Sequence, residues 1–452
     1  MEPALIATLA AAVPLLAGLT AAVVGAARRS AAWRLAAQTC RLTDVVEEGA
    51  TPGRRVLRGR YEDLRVSLSR FHRGRRVYGT GITIETTGAH TGGLQLRGES
   101  LRMNVRKMLG ASELDTGDAA FDREFFIGGL LAPTLAFLDA ETRGLLLHLR
   151  TMARVDIGGG CLSVEIHEGM LTDLRGGLPR ALYGALEIAR RWPLEARVPE
   201  RLAHNALRDP EIGVRMNNLL ALARGFEGHE ATGPALRAAG RDPWPEIRLR
   251  AAEALGGPEG REALLTLTSD EADGVAARAV AALGRWLAPE RAVLILERAM
   301  QEGRNETACA CLTLLGRVGS DAAVARLVQV MGSDDAELKA AAAQALGWSG
   351  RPSAEACLLG ALEHDVAAVQ LAAAGALGQV GTAASVLPLK EAAERDSELR
   401  AMARQSIAAI QSRVAGAAPG QLSIAEGGEA GRLSLSRVEA GRLALKNEGG
   451  GK

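Results

Sequence analysis

The feature that most constrains this chain of 452 residues is a Leu-Gly pair that closes an Ala-rich stretch and returns at a nearly constant spacing. Successive copies lie 28, 32, 31 and 31 residues apart. Constant spacing indicates one structural unit repeated, and a unit of this length suits two helices that stack on the next two. We therefore predict an α-solenoid over residues 196–416. The pairs are Leu255-Gly256, Leu283-Gly284, Leu315-Gly316, Leu346-Gly347 and Leu377-Gly378.

Each unit also carries helix start and stop signals. Aspartates such as Asp242, Asp270 and Asp365 precede the Ala-rich stretches and can cap a helix. Alanine allows neighbouring helices to approach closely without losing helix propensity. The glycine of each pair is predicted to take a positive φ and end the first helix of its unit. Two antiparallel helices per unit result.

The stretches DPWPEIRLRAAEALG and DDAELKAAAAQALGWSG resemble HEAT repeats, in particular the short bacterial type named after phycobilin lyases. The resemblance covers about 205 residues. It implies a binding scaffold for other proteins, since most arrays of this kind have that role. A minority are enzymes, so a bilin-lyase-like factor and a metal-dependent hydroxylase are the alternatives.

The sequence disfavours those enzymes. The di-iron hydroxylases of this type carry several His-Glu pairs, because two irons need both imidazole and carboxylate ligands. Here the repeats hold His229-Glu230 and, more loosely, His364-Asp365, and we interpret both histidines as exposed loop or helix-end residues. The five cysteines are scattered without zinc spacing, which favours reduced thiols. We predict no catalytic residue, no metal and no cofactor.

The resemblance also suggests where a partner protein binds. In arrays of this kind the second helix of each unit lines the concave wall. The outward polar residues of these helices are therefore the candidate binding residues, although exposed ion pairing explains them equally well. They are Arg298, Gln301, Arg326 and Gln329.

The amino-terminal segment, residues 1–30, reads as a membrane anchor. Residues 4–27 hold no charge over 24 positions, and a helix of that length spans roughly 36 Å, enough for a hydrocarbon core of about 30 Å. The positive-inside rule places the following domains in the cytoplasm, with Trp33 at the interface. Cleavage after Ala27, which would give an exported periplasmic scaffold, is the alternative. The arginines that set the orientation are Arg28, Arg29, Arg34 and Arg41.

Residues 31–52 read as a basic juxtamembrane linker. Between residues 28 and 76 thirteen arginines face five acids, so this part could touch anionic headgroups. A solvated surface is an equally good interpretation. The net charge of the whole chain is only +1 and aromatic residues are 3%, which disfavours nucleic acid as a partner.

An α+β domain is predicted over residues 53–195. Period-two patterns at 66–68, 82–84 and 94–96 indicate strands, and 155–166 indicates a hairpin around three glycines. Helices are predicted over 133–149 and 179–192. Four carboxylates cluster between residues 115 and 124, and we interpret them as turn and cap residues rather than a cation site. The stretch TGDAAFDREFFIGG resembles part of an uncharacterised domain of bacterial membrane-anchored proteins.

The tail, residues 417–452, repeats one short motif three times, at 420–424, 431–435 and 441–445. Its Gly and Glu content predicts disorder, while its alternating apolar residues suit addition to a sheet edge. Together these features predict a mainly α protein of the cell inner membrane, with a single-pass anchor, an α+β domain and a HEAT-like solenoid that recruits other proteins.

Overall fold

A computed structural model describes residues 24–49, 54–73, 76–85, 93–98, 114–167, 174–192, 197–395 and 397–413, together with the short strands 422–424 and 433–435. The chain divides into two compact units, Met1–Leu255 and Gly256–Lys452. The first hairpins of helices therefore belong with the sheet, whereas the sequence had suggested a boundary at residue 195.

The first unit contains an eight-stranded sheet in the order β1-β2-β3-β4-β8-β7-β5-β6, in which every neighbouring pair is antiparallel. Alternation of buried and less buried residues in β2, β7 and β8 turns one face of each of these strands toward the core. The predicted hairpin is confirmed, with Val155 opposite Val164 and Ile157 opposite Leu162. The strands are β1 Thr43–Glu48, β2 Val56–Tyr61, β3 Leu64–Arg73, β4 Arg76–Glu85, β5 Gln95–Gly98, β6 Phe125–Gly128, β7 Arg154–Gly158 and β8 Cys161–His167.

Helices cover the sheet and complete its core. One buried cluster joins residues of the strands with residues of α1 (24–39), α4 and α5. The helix predicted over 133–149 is two helices, because Asp139 interrupts it and caps the second through a 2.7 Å bond from the Thr142 N–H. The bounds are α2 Ala119–Glu124, α3 Leu131–Phe137, α4 Ala140–Met152 and α5 Leu174–Arg190.

The segment predicted as a basic linker, 31–52, is instead part of this domain. Residues 24–39 form a helix whose Trp33 is 2% exposed, and its indole N–H donates to Thr80 Oγ1 at 3.1 Å. The expectation that Trp33 lies at a membrane interface is therefore wrong, because the ring is buried in the protein core and its N–H has a hydrogen-bond acceptor there. Within the described residues, no helix combines the length and apolar character needed to cross a bilayer. Most of the predicted span, residues 4–23, lies outside those residues.

Four more helices complete the first unit. Helix α3 packs against α6 and α7, and Leu135 shares a buried cluster with Leu202 and Leu222. The sheet domain thus contributes a helix to the start of the helical array. The bounds are α6 Val198–Arg208, α7 Ile212–Gly225, α8 Thr232–Ala239 and α9 Pro245–Leu255.

The second unit is built from alternating Ala-rich helices and second helices, as predicted. The Ala-rich helices contact one another in series, and the second helices pack against them. The Ala-rich helices are α11 Asp273–Leu283, α13 Asn305–Val318, α15 Ala336–Trp348, α17 Ala367–Val380 and α19 Ser397–Arg413. The second helices are α10 Gly257–Leu267, α12 Pro289–Glu302, α14 Asp321–Val330, α16 Glu355–Ala361 and α18 Val386–Arg395.

The glycine of the Leu-Gly pair has two different roles. Gly256 and Gly284 have φ of 59° and 46° and end α9 and α11, as predicted. The other three, Gly316, Gly347 and Gly378, lie inside their helices, so the predicted stop is wrong there. A Cβ on Gly347 would lie 2.8 Å from the Ala376 Cα. These three glycines are needed because the next Ala-rich helix passes too close for any side chain.

Most of the predicted capping aspartates do order the turn before an Ala-rich helix. Asp242 accepts from the Trp244 N–H at 2.8 Å, and Asp270 from the Ala272 N–H at 3.1 Å. Asp365 does not fill this place, since His364 Nδ1 accepts from the Val366 N–H at 3.1 Å instead. An imidazole can replace the carboxylate because the turn requires only an acceptor.

The tail differs from the predicted disorder at two of its three motifs. Strands β9 Leu422–Ile424 and β10 Leu433–Leu435 pair antiparallel, with Ser423 opposite Ser434. The third motif, 441–445, lies outside the described residues.

Candidate functional site

A groove of 620 Å³ lies along the last three Ala-rich helices. None of the described residues that line this neutral groove is charged. Gly375 and Ala372 line it and leave room that larger side chains would fill. A Cβ on Gly375 would be 3.4 Å from the Met402 sulfur. The main lining residues are Gln344, Trp348, Leu371, Ala372, Gly375, Gln379, Met402, Gln405, Ser406 and Ala409.

The edges of the neutral groove combine one aromatic ring with three amides. Trp348 is 43% exposed at the end of α15. The side chains of Gln344, Gln379 and Gln405 are exposed, and within the described part of the chain the structure records no hydrogen bond for any of their amides. A primary amide offers both donors and an acceptor, so these groups remain available to a ligand.

A second groove of 450 Å³ lies between α11 and α13 and carries positive charge. Two of its lining residues, Arg285 and Arg317, are exposed, and no ion pair is recorded for either within the described residues. The guanidinium of Arg285 lies 4.9 Å from the centre of the Trp286 ring, and that of Arg261 lies 4.4 Å from it. Stacking on an indole restricts these guanidinium groups without neutralising them. We call this site the basic groove.

One repeated position supplies two exposed residues to each groove. Arg285, Arg317, Trp348 and Gln379 each follow a Leu-Gly pair directly, and each lines a groove. We call these four residues the marker stripe. The sequence does indicate this position, because the Leu-Gly pair is constant from repeat to repeat while the residue that follows it varies. These four residues were not predicted, because the candidate binding residues were placed on the second helices instead.

The four predicted binding residues lie on α12 and α14, and neither groove includes them. Arg298 pairs with Glu302 at 2.9 Å on its own helix. Arg326 pairs with Glu297 at 2.9 Å and donates to Gln329 at 2.6 Å. Gln301 is exposed. Both arginines therefore have partners already, and the role of these residues in binding stays a prediction.

The four arginines predicted at the membrane surface lie on or just after α1. Arg34 pairs with Glu47 of β1 at 2.7 Å, and Arg28 and Arg41 are exposed. Hydrogen bonds from Arg34 and Ser30 lower the pKa of Glu47. The helix and first strand of the sheet domain thus hold part of this basic segment in place. Lipid contact by Arg28, Arg29, Arg34 and Arg41 stays a prediction.

The carboxylate cluster has the structural role that the sequence predicted. Asp118 caps α2 by accepting from the Ala120 and Phe121 N–H groups, each at 3.1 Å. Asp122 accepts from the Thr116 hydroxyl at 2.8 Å. Burial, together with the neighbouring Asp115 carboxyl, raises the pKa of Asp122 to about 6. The neighbouring residues Phe121, Phe125 and Phe126 are buried.

No pattern in the sequence indicated the arginine that binds this cluster. Arg143, 3% exposed, donates to Asp118 at 2.8 Å and makes two 2.9 Å bonds to Asp209, the aspartate that opens the array. Although burial opposes it, bonding to Phe121 and Arg143 lowers the pKa of Asp118. One repeat further along the chain, Arg215 binds Asp242 in the same bidentate way. The sheet domain therefore supplies the first member of a series that continues into the repeats.

The described histidines and cysteines do not form a metal centre. No group of three or more His, Cys, Asp or Glu among the described residues is placed to hold a metal ion. His229 Nδ1 accepts from the Ala231 N–H at 3.2 Å, so it orders a turn. All five cysteines are free. Burial raises the pKa of the Cys311 thiol to about 12, which makes it unreactive.

Comparison with known proteins identifies the repeats. The family model described as HEAT repeats matches residues 261–347 and 324–408. This chain contains HEAT repeats. Among solved structures, one engineered protein is 16% identical, with a TM-score of 0.28 over 68% of this chain and 98% of its own. Another is 19% identical, with a TM-score of 0.19 over 50% and 91%. No curated protein matches the chain.

Proposed function

We propose that this chain is a scaffold whose HEAT repeats bind an extended peptide segment of a partner protein in the neutral groove. The observation that carries the proposal is the lining of that groove, which places exposed Trp348 among uncharged residues and three available amides. An exposed tryptophan in an apolar recess is the kind of residue that contributes most to binding energy.

An extended peptide suits this groove better than a helix. The backbone N–H and C=O groups of a helix are bonded within the helix, so they cannot use amide partners. An extended segment presents both groups to its surroundings. The side chains of Gln344, Gln379 and Gln405 can pair with those groups, while Trp348 and Met402 contact apolar side chains.

Selection of random short peptides displayed on phage, with the full chain as bait, tests the proposal. We expect peptides to be enriched, and Trp348→Ala to weaken their binding by about tenfold or more. The melting temperature should change little, because Trp348 is half exposed. Trp244, 48% exposed in the first unit, provides the matched control Trp244→Ala.

The control variant should bind the selected peptides as the native chain does. If no peptide is enriched, or if both tryptophan variants bind equally well, the neutral groove is not the binding site and the proposal fails.

A membrane tether is the second part of the proposal. The support is the uncharged run of residues 4–27 followed by arginines, which favours cytoplasmic repeats at the inner membrane. Resistance of the full chain to alkaline extraction from membranes is expected, and Leu9→Arg with Leu16→Arg should release it. Recovery of the native chain in the soluble fraction would contradict the tether.

Absence of catalysis also stays a prediction. Metal and pigment analysis of the purified chain checks it, and a stoichiometric metal or bilin would favour the enzyme alternatives.

A further inference from the structure

The marker stripe changes chemistry along the array. Its first two members, Arg285 and Arg317, are cationic, and its last two, Trp348 and Gln379, are neutral. The four lie on consecutive Ala-rich helices or directly after them, and these helices contact one another in series. The basic groove and the neutral groove therefore follow each other along one layer of the second unit.

The charge of the basic groove is available to a ligand. Within the described residues no carboxylate lines this groove, and the structure records no ion pair for Arg285 or Arg317 there. Arg285 lies just after the end of α11 and Arg317 lies in the last turn of α13, where the last carbonyl groups favour a cation, yet both side chains remain exposed. Arg261 and Arg285 stack on Trp286, so one side of the groove is held in position.

We propose that the ligand is an extended peptide with an acidic part, which binds in the basic groove, and an apolar part, which binds in the neutral groove. This inference rests on the proposed function and specifies the chemistry of the partner. Arginine suits the acidic part because its planar group binds carboxylates through two hydrogen bonds.

Helix spacing sets the length of the ligand. Packed helices lie about 10 Å apart, so the three steps from Arg285 to Gln379 cover roughly 30 Å. An extended chain rises about 3.3 Å per residue, and about nine residues bridge that distance. Acidic and apolar residues should be separated by roughly three to nine positions in the ligand.

The peptides selected by the full chain test this inference through their composition. We expect acidic residues at one end and apolar residues at the other, and binding that weakens as salt concentration rises. Combined replacement Arg285→Gln and Arg317→Gln should weaken binding by about tenfold. Its matched control, Arg298→Gln with Arg326→Gln, removes two arginines from the second helices and should leave binding unchanged.

Three results would overturn the inference. Enriched peptides that are apolar but not acidic, with affinity unchanged in the Arg285→Gln, Arg317→Gln variant, would leave the scaffold function standing and refute the acidic part. Enrichment of no peptide at all would instead refute the scaffold function. Enrichment only after Leu422→Ser and Leu433→Ser in the full chain would show that its own tail fills the groove in place of a partner.

Discussion

Arginine has opposite roles in the two compact units. In the first unit Arg143 is buried and bonded to two carboxylates and to the Leu138 carbonyl. In the second unit Arg285 and Arg317 line a groove with their guanidinium groups exposed, and no ion pair is recorded for them among the described residues. Charge satisfied inside the protein contributes to the order of the fold, whereas charge left exposed in a recess is available to a ligand.

The second helices show a third situation. Arg298 is exposed and Arg326 is partly buried, and each pairs with an exposed carboxylate. Exposed ion pairs of this kind contribute little to stability. An arginine is therefore buried and paired, exposed in a groove, or paired on the second helices. Removing it should have a different result in each of these three settings.

The largest expected effect is on stability, from Arg143→Ala. Removing the guanidinium leaves the Asp209 carboxylate, 1% exposed, without its cation, and the free energy of unfolding should fall by about 3–5 kcal/mol. Chemical denaturation measures this loss. Arg154→Ala, which removes an arginine from a half-exposed pair with Asp156, is the control and should cost less than about 1 kcal/mol. Equal losses would remove the distinction between buried and exposed arginine.

The next effect tests the contact that brings the Ala-rich helices together. Gly347→Ala places a Cβ 2.8 Å from the Ala376 Cα and should destabilise the second unit by about 1–3 kcal/mol. Gly360 of α16 has no heavy atom within 4 Å of an added Cβ, so Gly360→Ala should stabilise by about 0.5–1 kcal/mol through helix propensity. Thermal unfolding of both variants tests this prediction. A Gly347→Ala variant more stable than the native chain would contradict the close approach of α15 and α17.

Asp122 is an intermediate case, a half-buried acid that faces another acid. Its pKa in the folded protein, about 6, is above the ordinary value of 3.8, so the folded state binds more protons than the unfolded state between these values. The contribution of Asp122 to stability should therefore fall as pH rises from about 4 to about 6. Asp122→Asn should abolish this fall and gain on the order of 1 kcal/mol at neutral pH, after allowance for solvent screening. Denaturation at several pH values checks it; an unchanged pH dependence would contradict the prediction.

The smallest effect is expected from Arg298→Gln combined with Arg326→Gln. Both side chains are in surface pairs, so the free energy of unfolding should change by less than about 1 kcal/mol. Titration of a selected peptide against this variant should give the native affinity. A tenfold loss would instead support the second helices as the binding surface, as the sequence had suggested.

The repeats could be predicted from the sequence because the Leu-Gly spacing reports a local, periodic arrangement. The strands at Val66, Ile82 and Val155 were predictable for the same reason, since alternation fixes which face is buried. Contacts between distant residues were not predictable. Nothing in the sequence pairs Arg143 with Asp209, 66 positions away. Trp33 was misplaced because an aromatic residue beside an apolar run suits a membrane interface and a protein core equally well.

The candidate site was missed for a different reason. The Leu-Gly pairs were evident, yet the helix was expected to end at each glycine, which would have put the following residue in a turn. In α15 and α17 the helix continues past the glycine, so Trp348 and Gln379 lie on the exposed face of the Ala-rich layer. Gly347 and Gly378 pack against the next Ala-rich helix instead of ending their own.

Photocrosslinking from two matched glutamines tests the central claim most directly. Gln344 lines the neutral groove on α15, and Gln301 is exposed on α12. Each is replaced in turn by a photoreactive amino acid, and a selected peptide is added before irradiation. We predict a covalent adduct with the peptide from position 344 and none from position 301. An adduct from 301 alone would contradict the account and place binding on the second helices.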